Sequence, residues 1–298
     1  MWDELQFAVA LAVSGLAIGL MYALIALGFV LVYKATDAIN FAQGEFVMLA
    51  GFVAALVLGI RGAPVLLAVA AALAVMVVFS FALERIVLRP LLGRPVVAVI
   101  MATIGLAAIL RGLPPITVGG GTRALSLPIG DTPFVLGPAS LPPIQVLGVV
   151  VTLLFLAIFA WFFLKSRMGV AMRAVADNQQ VAMAMGINVE RYFALAWAMA
   201  GTVSALGGVI WGSMLGVDIY LSTVGLKVFP VVILGGLDSI VGAVVGGLII
   251  GLVESLAAGY LDPYVGGGTK DFAPYVVMII ALMFRPYGIF GTHRIERV

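Results

Sequence analysis

Long apolar segments alternate with short polar segments along almost the entire chain. Nine apolar segments reach, or nearly reach, the about 20 residues with which an α-helix crosses the hydrocarbon core of a membrane. They cover residues 7–33, 42–60, 64–83, 96–113, 143–164, 193–216, 219–237, 239–260 and 272–290. The pattern predicts an all-α, polytopic integral membrane protein of about 8–10 transmembrane helices, in a single transmembrane domain over residues 1–298. Glycine and proline interrupt the segments after residue 210, so we expect at least one broken or re-entrant segment there.

Composition agrees with a chain that lies mostly in lipid. Of 298 residues, 63% are hydrophobic and only 10% are charged, whereas a soluble domain carries about 25% charged residues. The chain has no cysteine, which excludes disulfides, thiolate metal sites and cysteine nucleophiles. Its single histidine, His293, has no clustered partners for a zinc site. A net charge of +2 gives no reason to expect nucleic acid as a partner.

The basic residues indicate an orientation, because Lys and Arg of short loops prefer the cytoplasm. With the N-terminus outside and the C-terminus in the cytoplasm, the outer segments keep only Arg61, Arg111, Arg123 and Lys270. The cytoplasmic segments then collect Lys34, Arg85, Arg89, Arg94, Lys165, Arg167, Arg173, Arg191, Arg285, Arg294 and Arg297. This asymmetry predicts an N-out, C-in multi-pass protein of the cell (inner) membrane.

The longest outer loop, residues 114–142, is rich in proline, which predicts no continuous helix there and an ordered cap or docking surface. Residues 118–123 read VGGGTR, and residues 265–270, in another outer loop, read VGGGTK. The echo is compatible with an internal duplication, which transporters often contain, but a glycine-rich hexamer is short. Glycines also recur at four-residue spacing in 15–19, 208–216 and 242–251, which favours close helix packing within the chain or, alternatively, a subunit interface.

Three polar side chains stand together in the segment INFAQGE, residues 39–45. Asn40 is a candidate N-cap and Glu45 suits the positive end of a helix, so a purely structural start signal explains the segment. The alternative is functional, because a helix N-terminus inside the membrane can receive an anionic group such as a solute carboxylate.

A second polar feature is Lys227, which precedes Pro230 inside a predicted span. A charge at a span centre costs about 2.5–3.5 kcal/mol on insertion scales. Lys227 either snorkels or pairs with Asp218 or Glu254, or it lines the solute path or braces a helix broken at Pro230. Glu254 is the only other deep charge that the pattern indicates.

The longest cytoplasmic loop is residues 165–192, and within it residues 173–188 predict one short helix that ends at Gly186. Val181 and Met185 share one face, and the polar face is poor in lysine, so docking to a partner fits better than lying on lipid.

The chain resembles the permease subunits of branched-chain amino acid ABC importers, the LivH-like family. The resemblance is carried by Gly15 to Tyr33, INFAQGE, Arg173 to Asn188, Gly225 to Gly247 and RPYGIFG at 285–291, in this order. Two departures stand out. Gln180-Val181-Ala182 replaces the Glu-Ala-Ala that often precedes Gly186 in ABC importers, and Gln43 stands where the family often has His.

The resemblance implies that the chain binds no cofactor itself and is not an enzyme. It implies a second permease subunit (LivM-like or a second copy), two cytoplasmic subunits that bind ATP and Mg, and an extracytoplasmic solute-binding protein. The loop helix becomes the ATPase-coupling element, with Arg173, Ala174, Asp177, Ala182, Met185, Gly186, Ile187 and Asn188. For the substrate pathway we expect Asn40, Phe41, Gln43, Gly44, Glu45 and Lys227, with Gly235 and Gly236 as support.

Two other function classes compete with this interpretation. An ion-coupled secondary transporter or channel would need several intramembrane carboxylates. An intramembrane enzyme would need a nucleophile and a base, yet the sequence has no G-x-S-x-G. The chain also lacks G-x-x-x-x-G-K-[ST], so ATP would be hydrolysed by partner subunits.

Overall fold

The computed structural model describes residues 2–91 and 93–292, and these residues are mostly helical. The α-helices are α1 (Trp2–Thr36), α2 (Gln43–Leu58), α3 (Val65–Leu83), α4 (Val96–Thr117), α5 (Pro143–Lys165), α6 (Arg167–Asp177), α7 (Gln179–Ala184), α8 (Val189–Leu215), α9 (Thr223–Gly235), α10 (Ile240–Tyr260), α11 (Asp262–Val265) and α12 (Thr269–Phe284). A π-helical turn, Glu84–Leu88, and a 3₁₀ turn, Arg89–Leu91, prolong α3, and a second 3₁₀ turn, Ile219–Ser222, precedes α9. Two short strands are β1 (Phe134–Leu136) and β2 (Ala139–Leu141).

Every one of the nine predicted apolar segments contains a helix, which confirms the all-α, polytopic fold. Within the described residues, six helices are long and apolar enough to cross a membrane: α1, α3 with its extension to Leu91, α4, α5, α8 and α10. α2, with 16 residues, and Ile219–Gly235 are shorter apolar helices. α12 ends at Phe284 and not at residue 290, because Arg285 precedes Pro286 and a residue before proline avoids the helical conformation.

The structure differs from the sequence prediction in two details of the outer loop at 114–142. α4 continues through Pro114 and Pro115 to Thr117, so the loop begins later than predicted. The two prolines lie in the last turn, where they forgo few helical bonds, and the Val118 N–H still donates to the Pro114 carbonyl at 2.9 Å. Beyond α4, β1 and β2 form an antiparallel hairpin that pairs Leu136 with Ala139 across a two-residue turn. Gly137, at φ +60°, begins this turn, as a type II′ turn requires.

The chain divides into two compact units, and each contains its own core. The first unit holds the described residues within Met1–Val30, Ile129–Leu153 and Leu226–Val298. In it, Gly15 and Gly19 of α1 lie directly against the backbone of Gly251 and Gly247 of α10. This confirms that the small-residue rows pack helices within the chain, as close backbone approach allows in lipid.

The second unit holds the described residues within Leu31–Pro128 and Leu154–Gly225. Its core is formed by α2, α3 and α8, which pack on one another through Gly201, Gly208 and buried aromatic rings. Phe46 of α2 meets Phe79 edge-on at 5.4 Å and Trp197 of α8 at 6.1 Å between ring centroids. α8 ends at Gly216, whose φ of +82° reverses the chain into the second 3₁₀ turn.

Candidate functional site

The segment before α2 folds into a buried polar network in the second unit. The Asn40 side-chain amide donates to Gln43 Oε1 at 3.1 Å, and Gln43 Nε2 donates to Ser204 Oγ of α8 at 3.0 Å. Asn40 and Gln43 are fully buried. Asn40 is not the N-cap that the sequence indicated: Ala42 occupies that position, and Asn40 Oδ1 accepts the Ala42 N–H at 3.1 Å in an Asx turn. The chain therefore enters α2 as an interior turn with satisfied polar groups.

Glu45 forms the charged part of this site. Its carboxylate, 3% exposed, accepts a hydrogen bond from the Arg111 guanidinium of α4 at 2.5 Å. The predicted orientation counts Arg111 with the outer segments, at the end of the apolar segment 96–113, and the structure places it within the apolar helix α4. Half of the Arg111 side chain remains exposed. Because a lone charge in lipid is costly, the pair accounts for both residues in a membrane helix.

Gly44 and Phe41 complete the entry to α2. A Cβ at Gly44 would overlap the carbonyl oxygen of Ser222 and approach the Cα of Gly225, so α2 and the start of α9 touch through bare backbone. The Phe41 N–H donates to Thr103 Oγ1 of α4 at 3.3 Å. Five of the predicted pathway residues thus lie together in one turn, with Thr103, Arg111 and Ser204 as additional members.

Lys227 lies in the first unit, at the second turn of α9, where two carboxylates surround its ammonium group. Nζ is 2.7 Å from Asp271 Oδ1 of α12 and 3.7 Å from Glu254 Oε1 of α10. Glu254 also accepts a hydrogen bond from the Tyr22 hydroxyl of α1. The predicted pairing with Glu254 is confirmed, while the alternative partner, Asp218, instead accepts hydrogen bonds from Thr122 and from the Tyr220 N–H.

Gly235 and Gly236 form the end of α9 and contact backbone rather than open space. A Cβ at Gly235 would overlap the Gly242 carbonyl, and Gly236 adopts a φ of +108° beside Gly291. The Phe290 N–H donates to the Gly235 carbonyl at 3.0 Å, which holds the RPYGIFG segment against α9. These contacts are with Gly242, Phe290 and Gly291, so a supporting role toward Lys227 stays a prediction.

The predicted coupling helix consists of two helices, α6 and α7, because Asn178 interrupts it. Asn178 adopts an extended conformation that ends α6, and its side chain accepts the Val181 N–H at 3.0 Å to cap α7. Gly186 ends α7 as predicted: its φ is +81°, and the Ile187 N–H returns to the Ala182 carbonyl at 3.0 Å in a Schellman motif.

The residues predicted for ATPase coupling range from buried Ala182 through half-buried Arg173 to exposed Asn188. Ala182 is buried, Arg173 donates to the Phe163 carbonyl and lies over its ring, and Asn188 caps α8. Ala174 and Ile187 are half-buried, whereas Asp177, Gly186 and Met185 are exposed. Val181, exposed by 58%, and Met185, exposed by 78%, lie one helical turn apart and form an apolar patch at α7, which we term the α7 patch.

Comparison with known proteins identifies the family. Residues 11–284 match the family described as "Branched-chain amino acid transport system / permease component". The chain is 32% identical, over 96% of both lengths, to the high-affinity branched-chain amino acid transport system permease protein LivH of Escherichia coli. It is equally identical, with the same coverage, to the permease protein BraD of Pseudomonas aeruginosa. This chain belongs to that permease family.

A solved structure is similar to this chain in fold, and this similarity supports only the fold. PsaBC from Streptococcus pneumoniae, in complex with Fab, matches 95% of the chain with a TM-score of 0.50 and 12% sequence identity. The family assignment makes this permease a multi-pass membrane protein of a transport system. Its deep charges are more numerous than the sequence indicated, because Glu45 and Glu84 are buried in addition to Glu254.

Sequence reasoning missed the partners of the predicted residues more often than the residues themselves. Arg111, Ser204 and Asp271 lie 66, 161 and 44 positions from Glu45, Gln43 and Lys227. Of these three partners, only Arg111 could have been recognised from the sequence, because it is a charged residue within an otherwise apolar segment. His293, the single histidine, lies outside the described residues.

Proposed function

We propose that this permease is one half of the translocation pathway of an ATP-driven importer in the cell (inner) membrane. Its solute is a branched-chain amino acid or a related small amino acid, carboxylate or amide. The observation that carries this proposal is the family match over residues 11–284, together with relatives that are themselves named branched-chain amino acid permeases. A second permease subunit, which is either LivM-like or a second copy of this chain, supplies the other half.

Two cytoplasmic subunits bind ATP and Mg and dock on the α7 patch. An exposed apolar surface in a cytoplasmic loop needs a partner of this kind. An extracytoplasmic binding protein delivers the solute at the opposite side, where the hairpin of β1 and β2 exposes Phe134, Val135 and Leu136. The N-terminus lies outside and the C-terminus in the cytoplasm.

A chain of contacts within the second unit links the α7 patch to the buried polar network. Gln179, the first residue of α7, donates through Nε2 to the Ala35 carbonyl in the last turn of α1 at 3.1 Å. Five residues later the same chain reaches Asn40 and its bond to Gln43. When the ATPases close and move α7, this contact transmits the movement to the residues before α2. The permease thereby changes between outward-open and inward-open arrangements.

Copurification from mild detergent tests the docking surface. Wild type should retain two ATP-binding subunits, and Val181→Asp with Met185→Asp should lose them at equal permease yield, because charges replace an apolar contact. Ala182 is unsuitable as a test position, since it is buried and its substitution would disturb the fold. The matched control is Val135→Asp, which is as exposed as these residues but lies in the outer hairpin. Retention of the ATPases by the double variant would contradict the assignment.

A secondary transporter remains the competing function, and a specific observation weakens it. Each deep carboxylate of the described residues has a basic partner: Glu45 with Arg111, Glu84 with Arg89, and Glu254 with Lys227. Such pairs neutralise the charge that a coupling cation would need.

A further inference from the structure

The π-helical turn Glu84–Leu88, which prolongs α3 in the second unit, brings the side chains of Glu84 and Arg89 together. Turns of this kind are rare and occur frequently at functional sites. Glu84 is 1% exposed, and its carboxylate accepts hydrogen bonds from Arg89 Nε at 3.3 Å and from Arg89 Nη2 at 3.2 Å. Because a buried carboxylate needs a partner, these two bonds hold the guanidinium group in one position.

The remaining arm of the Arg89 guanidinium reaches the start of α8. Nη1 donates to Glu190 Oε2 at 3.1 Å, and Glu190 lies in the first turn of α8. Glu190 is 101 positions from Arg89 in the chain, but it follows Met185 of the α7 patch by only five residues. One arginine can bind two carboxylates in this way because its planar head carries five donors in a fixed geometry. The ion pair therefore connects the segment after the α7 patch to the end of α3.

α3 and α8 also touch deeper in the second unit. A Cβ at Gly201 of α8 would overlap the carbonyl oxygen of Met76 of α3, so the two helices meet through bare backbone. Gly201 follows Glu190 by 11 residues, which is about 16 Å along a helix. Packed helices and ion pairs are the contacts through which displacement passes between distant parts of a protein. Joined at two separate points, α3 and α8 are expected to move together.

Space for such a movement exists beside the ion pair. A cavity of about 220 Å³ is lined by Leu88 and Arg89, by Gln179 of α7 and by Phe193 of α8. A single water needs only about 10–15 Å³, so this cavity is many times larger. Close-packed interiors resist displacement. The cavity therefore gives the first residues of α7 and α8 room to shift against the π-helical turn.

We propose that Arg89 is a positioning residue for transport, which passes movement of the α7 patch to α3. Glu84 holds the guanidinium group, Glu190 brings the displacement from the start of α8, and the Gly201 contact keeps the two helices together. The inference rests on the proposed function, in which the ATPases dock on the α7 patch. It deepens that function by adding a second route, separate from the contact between α7 and α1.

Hydrogen exchange of the purified full-chain permease in nanodiscs, without ATPases, tests the ion pair itself. Glu190→Gln removes the bond to α8 and leaves the Glu84–Arg89 pair in place. Arg89→Lys keeps the positive charge, but a single ammonium group cannot reproduce the fork to both carboxylates. It also leaves Glu190 at the positive end of α8, so an effect common to both variants is independent of the helix dipole.

Both variants should speed amide exchange in the first turns of α8 by about 2- to 5-fold, the range expected for a largely exposed ion pair. The matched control is Arg85→Lys, because Arg85 is exposed on the same π-helical turn. This control should leave exchange in α8 unchanged.

The role in transport is tested in the reconstituted complex of permeases, ATPases and binding protein, with L-leucine as the probe. Glu190→Gln and Arg89→Lys should retain the ATPases and their ATP hydrolysis, and they should lower leucine uptake per ATP hydrolysed by about 2- to 5-fold. A merely structural role would lower complex yield and uptake together and would leave uptake per ATP unchanged.

Unchanged exchange in both variants would overturn the inference, because the ion pair would then not hold α8. Faster exchange with unchanged uptake per ATP would also overturn it. ATP-driven uptake by wild type in either case leaves the proposed function intact. Uptake by wild type that does not depend on ATP would contradict the proposed function and the inference that rests on it.

Discussion

At the scale of single residues, the entry to α2 depends on charges and amides that are satisfied far along the sequence. Glu45 is almost completely buried, and its carboxylate is compensated by one guanidinium, that of Arg111. Removing one partner of a buried ion pair is far more costly than removing both, because the remaining charge is uncompensated.

We therefore expect Arg111→Gln to lower the melting temperature of the purified permease more than the double variant Arg111→Gln with Glu45→Gln does. The single change should cost about 1–3 kcal/mol, the penalty for an unsatisfied buried group, since half of Arg111 is exposed. Thermal unfolding in nanodiscs measures both variants. Additive effects of the two substitutions would show that the ion pair carries no coupling.

The same double variant separates a structural start signal from a solute site. If Glu45 acts in the pathway, the double variant folds but loses leucine uptake by the reconstituted complex. Uptake at the wild-type rate would leave Glu45 a purely structural role.

Gly44 gives a steric prediction. Gly44→Ala should destabilise the permease by about 1–3 kcal/mol or more, because its Cβ would collide with the Ser222 carbonyl and neither backbone can yield. Gly105→Ala is the matched control in α4, where no atom lies within 4 Å of the added Cβ. Gly44→Ala should melt well below wild type, and Gly105→Ala should melt at or above wild type. Equal melting temperatures of the two variants would contradict the packing.

The sequence predicts the polar residues of this site but not their partners. Polar residues inside apolar segments mark Gln43, Glu45, Lys227 and Glu254, and Asn40 directly precedes such a segment; the cost of burying these side chains implies a role. Their partners Arg111, Ser204 and Asp271 are set by which helices pack together, and neither periodicity nor charge reports that arrangement.

At the scale of elements, helix existence was predicted well and helix ends less well. The division of the coupling segment into α6 and α7 was missed because Asn178 lies within an otherwise helical pattern. Its side chain competes for the backbone and caps α7 instead of continuing α6. The continuation of α4 through Pro114 was missed because proline ends a helix less strictly in its last turn.

The start of α12 carries a pH-dependent contact. The Thr269 hydroxyl, and then its N–H, donate to Asp262, and these bonds hold the pKa of Asp262 below its usual value. A lowered carboxyl pKa stabilises the fold above the usual value of about 3.9, and this stabilisation is lost as pH falls through the folded-state pKa. Thr269→Val should therefore melt below wild type at neutral pH, with a difference that shrinks below about pH 4. A difference independent of pH would refute the linkage.

At the scale of the whole molecule, three contacts of the second unit join residues that the predicted orientation places on the same side, whereas the Glu45–Arg111 pair joins the predicted cytoplasmic start of one span to the predicted outer end of another. Arg123 pairs with Val217, both on the predicted outer side, while Arg89 pairs with Glu190 and Gln179 bonds to Ala35, all on the predicted cytoplasmic side.

A C-terminal green fluorescent protein should thus fluoresce, and alkaline phosphatase at the same place should be inactive. Phosphatase inserted at Gly130, before the outer hairpin, should be active. The reverse pattern would invert the orientation. The predicted duplication between 118–123 and 265–270 stays a prediction.

ATP-driven import is tested by uptake of radiolabelled L-leucine into proteoliposomes that contain this permease, its partner permease and the ATPase subunits, with binding protein outside. We expect uptake that requires ATP on the cytoplasmic face and the binding protein, and that persists when ionophores abolish all ion gradients. Uptake by the permease alone that follows an ion gradient and ignores ATP would contradict it.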